Sequence, residues 1–248
     1  MAHERLTIRT DDGVCPCEVF TPAERKGPWP AVIVYMDAGG IRPAISDISQ
    51  RLANEGYLVL LPDLFYRYGP YKPFVPKEVF AGDFRRVLGP LMATTDNLKA
   101  AADTGALLAY LDKRDDMAGA KVGAVGFCMG GGMAIAAAGT WPDRFAAVAS
   151  FHGGGLATDQ PTSPHLLAPQ IKAEIYVAAA QNDRSYPPEM AERFEAALAD
   201  AGVRYRAETY PAAHGWMKPD FPVYDHEQAE RGWSAMLDLF GRVLSAGR

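Results

Sequence analysis

The seven residues Gly126-Phe127-Cys128-Met129-Gly130-Gly131-Gly132 constrain this chain more than any other stretch. The apolar run Lys121-Val122-Gly123-Ala124-Val125 before them reads as a buried strand, and Met133-Ala134-Ile135-Ala136-Ala137-Ala138 after them as a helix. A reactive side chain between small residues, at a sharp strand-to-helix turn, is the geometry of a nucleophile elbow. The usual pattern is G-x-S-x-G, and here cysteine replaces the serine.

The rest of the chain supplies strands and helices in alternation. Residues 5–20 read as two short strands around a turn at Asp11-Asp12-Gly13, and Ala31-Val32-Ile33-Val34-Tyr35 as a strand covered on both faces. Helical spacing over 44–55 ends at Gly56, and Tyr57-Leu58-Val59-Leu60-Leu61 is the next strand, stopped by Pro62. A long helix follows over 97–113. Beyond the elbow, Phe145–Ser150, Glu174–Ala179 and Arg204–Thr209 read as strands, with helices over 187–201 and 225–245. This alternation predicts a single α/β domain over 1–248: a mostly parallel sheet of about eight strands with helices on both faces. Ligands in such sheets sit at the carboxyl ends of the strands. Segment 64–96 is the least regular and is rich in Phe and Tyr, so it is expected to form a cap or lid over the site.

Composition narrows the classes. The 248 residues are 48% hydrophobic and carry a net charge of −5 with no basic stripe, which argues against nucleic acid and anionic membrane as partners. The start, Met1-Ala2-His3-Glu4-Arg5-Leu6, lacks the apolar core of a signal peptide, and no apolar run approaches a membrane span, so a cytoplasmic location is expected. Three cysteines argue against a disulfide framework. Cys15 and Cys17 flank Pro16 in what reads as an edge strand; they lack companion ligands, so burial outweighs a metal site. Neither a metal nor a cofactor is expected.

A nucleophile needs a base, and the base an orienting acid. In an elbow fold the chain order is nucleophile, acid, histidine. His214, in Pro211-Ala212-Ala213-His214-Gly215-Trp216, follows the last strand, and Asp183, in Gln181-Asn182-Asp183-Arg184, follows the one before. Cys128, Asp183 and His214 thus stand in the required order, each after a parallel strand. Met129 N–H at the helix start is one candidate oxyanion donor. Ala38 N–H, in Met36-Asp37-Ala38-Gly39-Gly40, is the other. His152-Gly153-Gly154-Gly155 has the form of an oxyanion loop but follows the nucleophile rather than preceding it. It reads as a glycine-rich turn at the same edge, with His152 either against substrate or purely structural.

The residues together resemble the dienelactone hydrolase family of the α/β-hydrolase superfamily, from Val14 to the closing helix. The carrying motifs are Tyr35-Met36-Asp37-Ala38, Leu61-Pro62-Asp63-Leu64-Phe65-Tyr66-Arg67, the cysteine elbow, Asn182-Asp183 and His214-Gly215. The resemblance implies hydrolysis of an ester or lactone through a Cys128–His214–Asp183 triad. It places Asp37 where the family has a thiol-activating glutamate, Arg67 where an arginine binds the substrate carboxylate, and Lys218 where a second arginine stands. Lysine offers a point charge instead of a planar fork. Trp216 is a further substrate-contact candidate. The expected partner is a small ester or lactone, carboxylated as in the family; the oligomeric state is left open. A broad carboxylesterase or thioesterase, and a non-catalytic binding protein on the same fold, remain the alternatives.

Overall fold

The computed structural model describes residues 3–244; Met1, Ala2 and the last residue expected in the closing helix, Ser245, lie outside them. Strands β1 (His3–Thr10) and β2 (Gly13–Phe20) form an antiparallel hairpin about the expected turn. Strands β3 (Trp29–Tyr35), β4 (Leu58–Pro62), β5 (Met117–Phe127), β6 (Phe145–Phe151), β7 (Glu174–Ala180) and β8 (Tyr205–Tyr210) complete one eight-stranded sheet, in the order β1-β2-β4-β3-β5-β6-β7-β8. Every pair from β4 to β8 is parallel. Only the β1–β2 and β2–β4 pairs are antiparallel. The central strands read as continuous apolar runs because helices cover both faces; Val32, Ile33, Val34 and Tyr35 are all fully buried.

The helices are α1 (Pro43–Asn54), α2 (Pro76–Ala81), α3 (Phe84–Met92), α4 (Asn97–Leu111), α5 (Met129–Thr140), α6 (Pro188–Asp200) and α7 (His226–Leu244). Two glycines of β5, three apart and so on opposite faces, show how the layers divide. A side chain at Gly123 would meet Leu244 and Phe240 of α7, whereas one at Gly126 would collide with the Gly130 carbonyl of α5. Helix α1 shares the α7 face, where Arg51 pairs with Glu230 and lies 4.2 Å from the Trp233 ring. Helix α4 shares the α5 face, where Trp141 Nε1 donates to the Ala101 carbonyl.

One expectation about the sheet needs correction. Strand β2 lies between β1 and β4, not at the edge. Pro16 is tolerated there because its carbonyl accepts from Asp63 N–H, just past the end of β4. A strand residue's N and C=O point the same way, so the missing N–H faces that end and takes nothing from β1. Cys15 and Cys17 are buried with sulfurs 3.9 Å apart.

Candidate active site

Three adjacent parallel strands end at the same edge, and just beyond each the backbone turns left-handed at a residue other than glycine: Cys128 (φ 55°) after β5, His152 (φ 40°) after β6 and Asn182 (φ 57°) after β7. Such conformations are uncommon and cluster at functional sites. Cys128 is the residue before α5, with ψ −121°, so the chain reverses from strand to helix within one position. The turn is this tight because β5, α5 and β3 touch without side chains. A Cβ on Gly126 would strike Gly130, and one on Gly130 would strike the Tyr35 and Met36 carbonyls.

Asp183 and His214 arrive from the loops after β7 and β8. His214 Nδ1 stands 2.7 Å from Asp183 Oδ2. The other carboxylate oxygen accepts from Ser185 N–H at 2.8 Å and Ser185 Oγ at 2.6 Å. The carboxylate is thus engaged on both oxygens and is not spent capping α6. Burial favours the neutral acid, but the His214 and Ser185 hydrogen bonds outweigh it and hold Asp183 below its ordinary range. Burial also works against protonation of His214. The hydrogen bond to Asp183, with the Cys128 thiol nearby, reverses that and pushes the imidazole up to about 10. Cys128, Asp183 and His214 line one cavity of about 1050 Å³ together with Ala38, Met129 and Asp37. Met129 is the first residue of α5, so its N–H has no partner within the helix.

His152 lies beneath this cavity rather than in it. It is fully buried, and its Nδ1 accepts from Cys128 N–H at 3.1 Å, a bond the amide shares with the Phe151 carbonyl at 3.0 Å. An accepting Nδ1 requires the neutral ring with its proton on Nε2. Burial, then the nearby His214 and Lys218, keep His152 well below the usual histidine range. Its ring is 4.9 Å from that of His214 and 5.1 Å from Trp216. The expected substrate contact by His152 is therefore replaced by a hold on the nucleophile's backbone. Trp216 is also fully buried, stacked on Tyr210 at 5.0 Å, and is a supporting wall behind the histidines.

The charged candidates are redistributed in the same way. Arg67 does not line the cavity: its guanidinium makes two bonds to Asp103 at 2.8 and 2.9 Å and one to Asp12 at 2.8 Å, and packs on the Tyr66 ring. It has no free donor edge to offer a substrate carboxylate. Lys218 is completely buried, with Nζ 3.7 Å from Asp37 Oδ2 and 3.2 Å from the Phe127 ring centre, and burial lowers it to about 7. It balances charge under the elbow and does not reach the cavity.

Asp37 is held by a residue that the sequence reading overlooked. Arg42 makes two bonds to it at 2.7 and 3.0 Å, a third to the Gly40 carbonyl, and two more to Asp220 at 2.6 and 3.2 Å. Burial alone would raise Asp37, but Lys218 and Arg42 hold it below its ordinary value. Arg42 thus ties the loop carrying Ala38 to the loop carrying His214. Tyr71 adds a second tie: its hydroxyl accepts from Ile41 N–H at 3.2 Å and donates to Asp63 at 2.8 Å. Aromatic content did signal another part of the lining, where Phe80, Phe84, Leu88 and Met92 of the 64–96 segment line the same cavity as Cys128.

Among the described residues no helix is long and apolar enough to cross a membrane, and no cluster of three metal-ligating side chains occurs. The chain matches the dienelactone hydrolase family over residues 17–244. A Synechocystis sp. protein named "Putative carboxymethylenebutenolidase" is 28% identical over 224 residues, 88% of each chain. An Escherichia coli protein of the same name is 30% identical over 222 residues, covering 88% of this chain and 79% of the relative. A solved structure from Klebsiella pneumoniae named "Putative Dienelactone Hydrolase" has a TM-score of 0.84 at 26% identity, covering 96% of this chain and 98% of that one. The eight-stranded α/β-hydrolase fold and the match along most of the chain agree: this hydrolase belongs to the dienelactone hydrolase family.

Proposed function

We propose that the chain hydrolyses a carboxylic ester or lactone, without a cofactor, through Cys128, His214 and Asp183. The 2.7 Å contact between His214 Nδ1 and Asp183, on a ring that lines the same open cavity as Cys128, carries the reading. Asp183 fixes the tautomer of His214, leaving the second ring nitrogen for the sulfur. His214 takes the thiol proton as the Cys128 sulfur attacks the carbonyl carbon. The C=O electrons move onto oxygen, where Ala38 and Met129 N–H stabilise the charge. The carbonyl reforms as the C–O bond breaks, and His214 gives its proton to the departing oxygen. In a lactone that oxygen stays tethered, so the step reverses until water attacks. His214 then takes a proton from water, whose oxygen displaces the thiolate and releases the acid.

Several parts of the site serve this reading without touching substrate. Asp37, Arg42 and Lys218 hold the Ala38 loop and balance charge under the elbow, and His152 fixes the Cys128 backbone. Helices α2 and α3 act as the cap over the single domain. The partner is a small-molecule ester or lactone met in the cytoplasm. Turnover of aryl esters and lactones by Cys128→Ala, beside the parent chain, is the test. The variant removes only the sulfur with its proton from a half-buried site, so the fold persists and turnover falls to background. Undiminished hydrolysis by the folded variant refutes the assignment.

A further inference from the structure

The substrate class can be narrowed further, on the reading of the cavity as a hydrolase site. Both cations expected to hold a carboxylate are committed elsewhere: Arg67 to Asp103 and Asp12, and Lys218 beneath the Phe127 ring. One wall of the cavity is apolar instead. Phe84, Leu88 and Met92 recur every four residues along α3 and so share one helix face. Phe80 of α2 packs 5.0 Å from Phe221 and 5.9 Å from Phe84, joining that face to the loop after His214. Phe80 and Phe84 are each 41% exposed and Met92 37%, whereas Leu88 and Phe221 are buried, so the uncovered part of this apolar surface is Phe80, Phe84 and Met92. An exposed apolar patch inside a concave site is the usual mark of an apolar ligand. The cavity, about 1050 Å³, lies at the large end for small-molecule sites. Arg85 and Arg184 also line it, both exposed, and Arg85 reaches within 5.9 Å of the Phe84 ring.

We infer that the substrate is an uncharged ester whose acyl half is a bulky aromatic or long alkyl group seated on Phe80, Phe84, Leu88, Met92 and Phe221. A carboxylate in that position would lose its water against rings that offer it no hydrogen bond. Each methylene moved from water onto the wall gains about fourfold in kcat/KM.

The experiment is a p-nitrophenyl ester series from acetate to octanoate, with the hexanoate set against the mono-p-nitrophenyl ester of adipic acid, which carries a terminal carboxylate at matched length. Expected is a rise of about fourfold per methylene until the wall is covered, and a hexanoate at least about tenfold better than its carboxylated counterpart. Phe80→Ser with Phe84→Ser flattens the rise. A flat or falling series overturns the inference. So does preference for the carboxylated ester that disappears in Arg85→Ala with Arg184→Ala, which would give those arginines the recognition role. Cys128→Ala run in parallel separates the two levels: loss of all ester turnover in it leaves the hydrolase reading standing while the series alone judges the substrate class. Calorimetric binding of hexanamide against adipamic acid reads the wall without turnover, and tighter binding of the acid counts against it.

Discussion

Arg42→Met is the most demanding test of how the site is built. Arg42 and Asp37 side chains are each only 1% exposed, and Asp220 is 25% exposed. Methionine fills much of the same volume but removes the five hydrogen bonds that Arg42 makes. Asp37 would keep the Gly39 N–H at 2.8 Å and Lys218 at 3.7 Å, the latter beyond hydrogen-bond length. Breaking a buried ion pair by removing one partner costs about 3–5 kcal/mol, and the remaining lysine charge places this case near the low end, about 3 kcal/mol. For a chain of this size that is a fall in Tm of about 6–12 °C. Urea unfolding gives the same quantity as a lowered midpoint with unchanged slope. In the double variant with Asp37→Asn the charge left behind is gone, so the combined loss should fall short of the sum by about 2 kcal/mol. The Ala38 loop also loses its anchor, and kcat should drop on the order of 10²-fold with little change in KM, as for a misplaced oxyanion donor. A loss under about 1 kcal/mol, or strict additivity with Asp37→Asn, would refute the argument that this pair knots the two loops together.

Two further perturbations probe the histidines. Asp183→Asn should lower kcat on the order of 10⁴-fold, because the amide no longer selects the productive tautomer of His214. Its stability deficit should depend on pH. His214 is raised to about 10 in the folded chain, so the stabilisation from its protonated form is fully present below its ordinary value, ~6.5, and fades as pH rises through about 10. Asp183 is lowered, so its share is present above ~3.9 and fades as pH falls through its folded value. Parent and variant melting curves should therefore differ most between those limits; a gap that widens above pH 10 contradicts the assignment. His152→Phe keeps a buried ring but removes the acceptor for Cys128 N–H, and should cost about 1–3 kcal/mol and slow alkylation of Cys128 by iodoacetamide. His152→Gln, which can still accept, should recover part of that rate, and equal rates in both variants would leave His152 with packing alone.

What was legible in the sequence was local. The elbow, the strands and the order Cys128, Asp183, His214 depend on residues within a few positions, where glycine spacing and apolar runs carry the signal. The cavity's ion pairs are not of that kind. Arg42 and Asp220 lie 178 positions apart, and Arg67 meets Asp103 only because α4 packs beside the segment after β4. A charge in a sequence does not say whether it will face substrate or another charge. Arg67 and Lys218 had the expected places in the chain, but burial and nearby acids gave them structural work. Pro16 misled for a related reason: proline forbids a ladder bond on one side only, and the end of β4 made that side free.

The left-handed residues at the ends of β5, β6 and β7 bear on how readily this protein can be improved. Each non-glycine residue held there stores strain of roughly 1 kcal/mol or more, which glycine would release. Asn182→Gly is thus a place where a screen for thermal tolerance should find a gain from backbone relief. At His152, which is fully buried, a glycine would leave a cavity and lose the hold on Cys128, and at Cys128 no glycine can serve. A laboratory lineage selected only for heat resistance would therefore relax this rim at Asn182, and one selected for turnover would keep its costly conformations and find tolerance elsewhere.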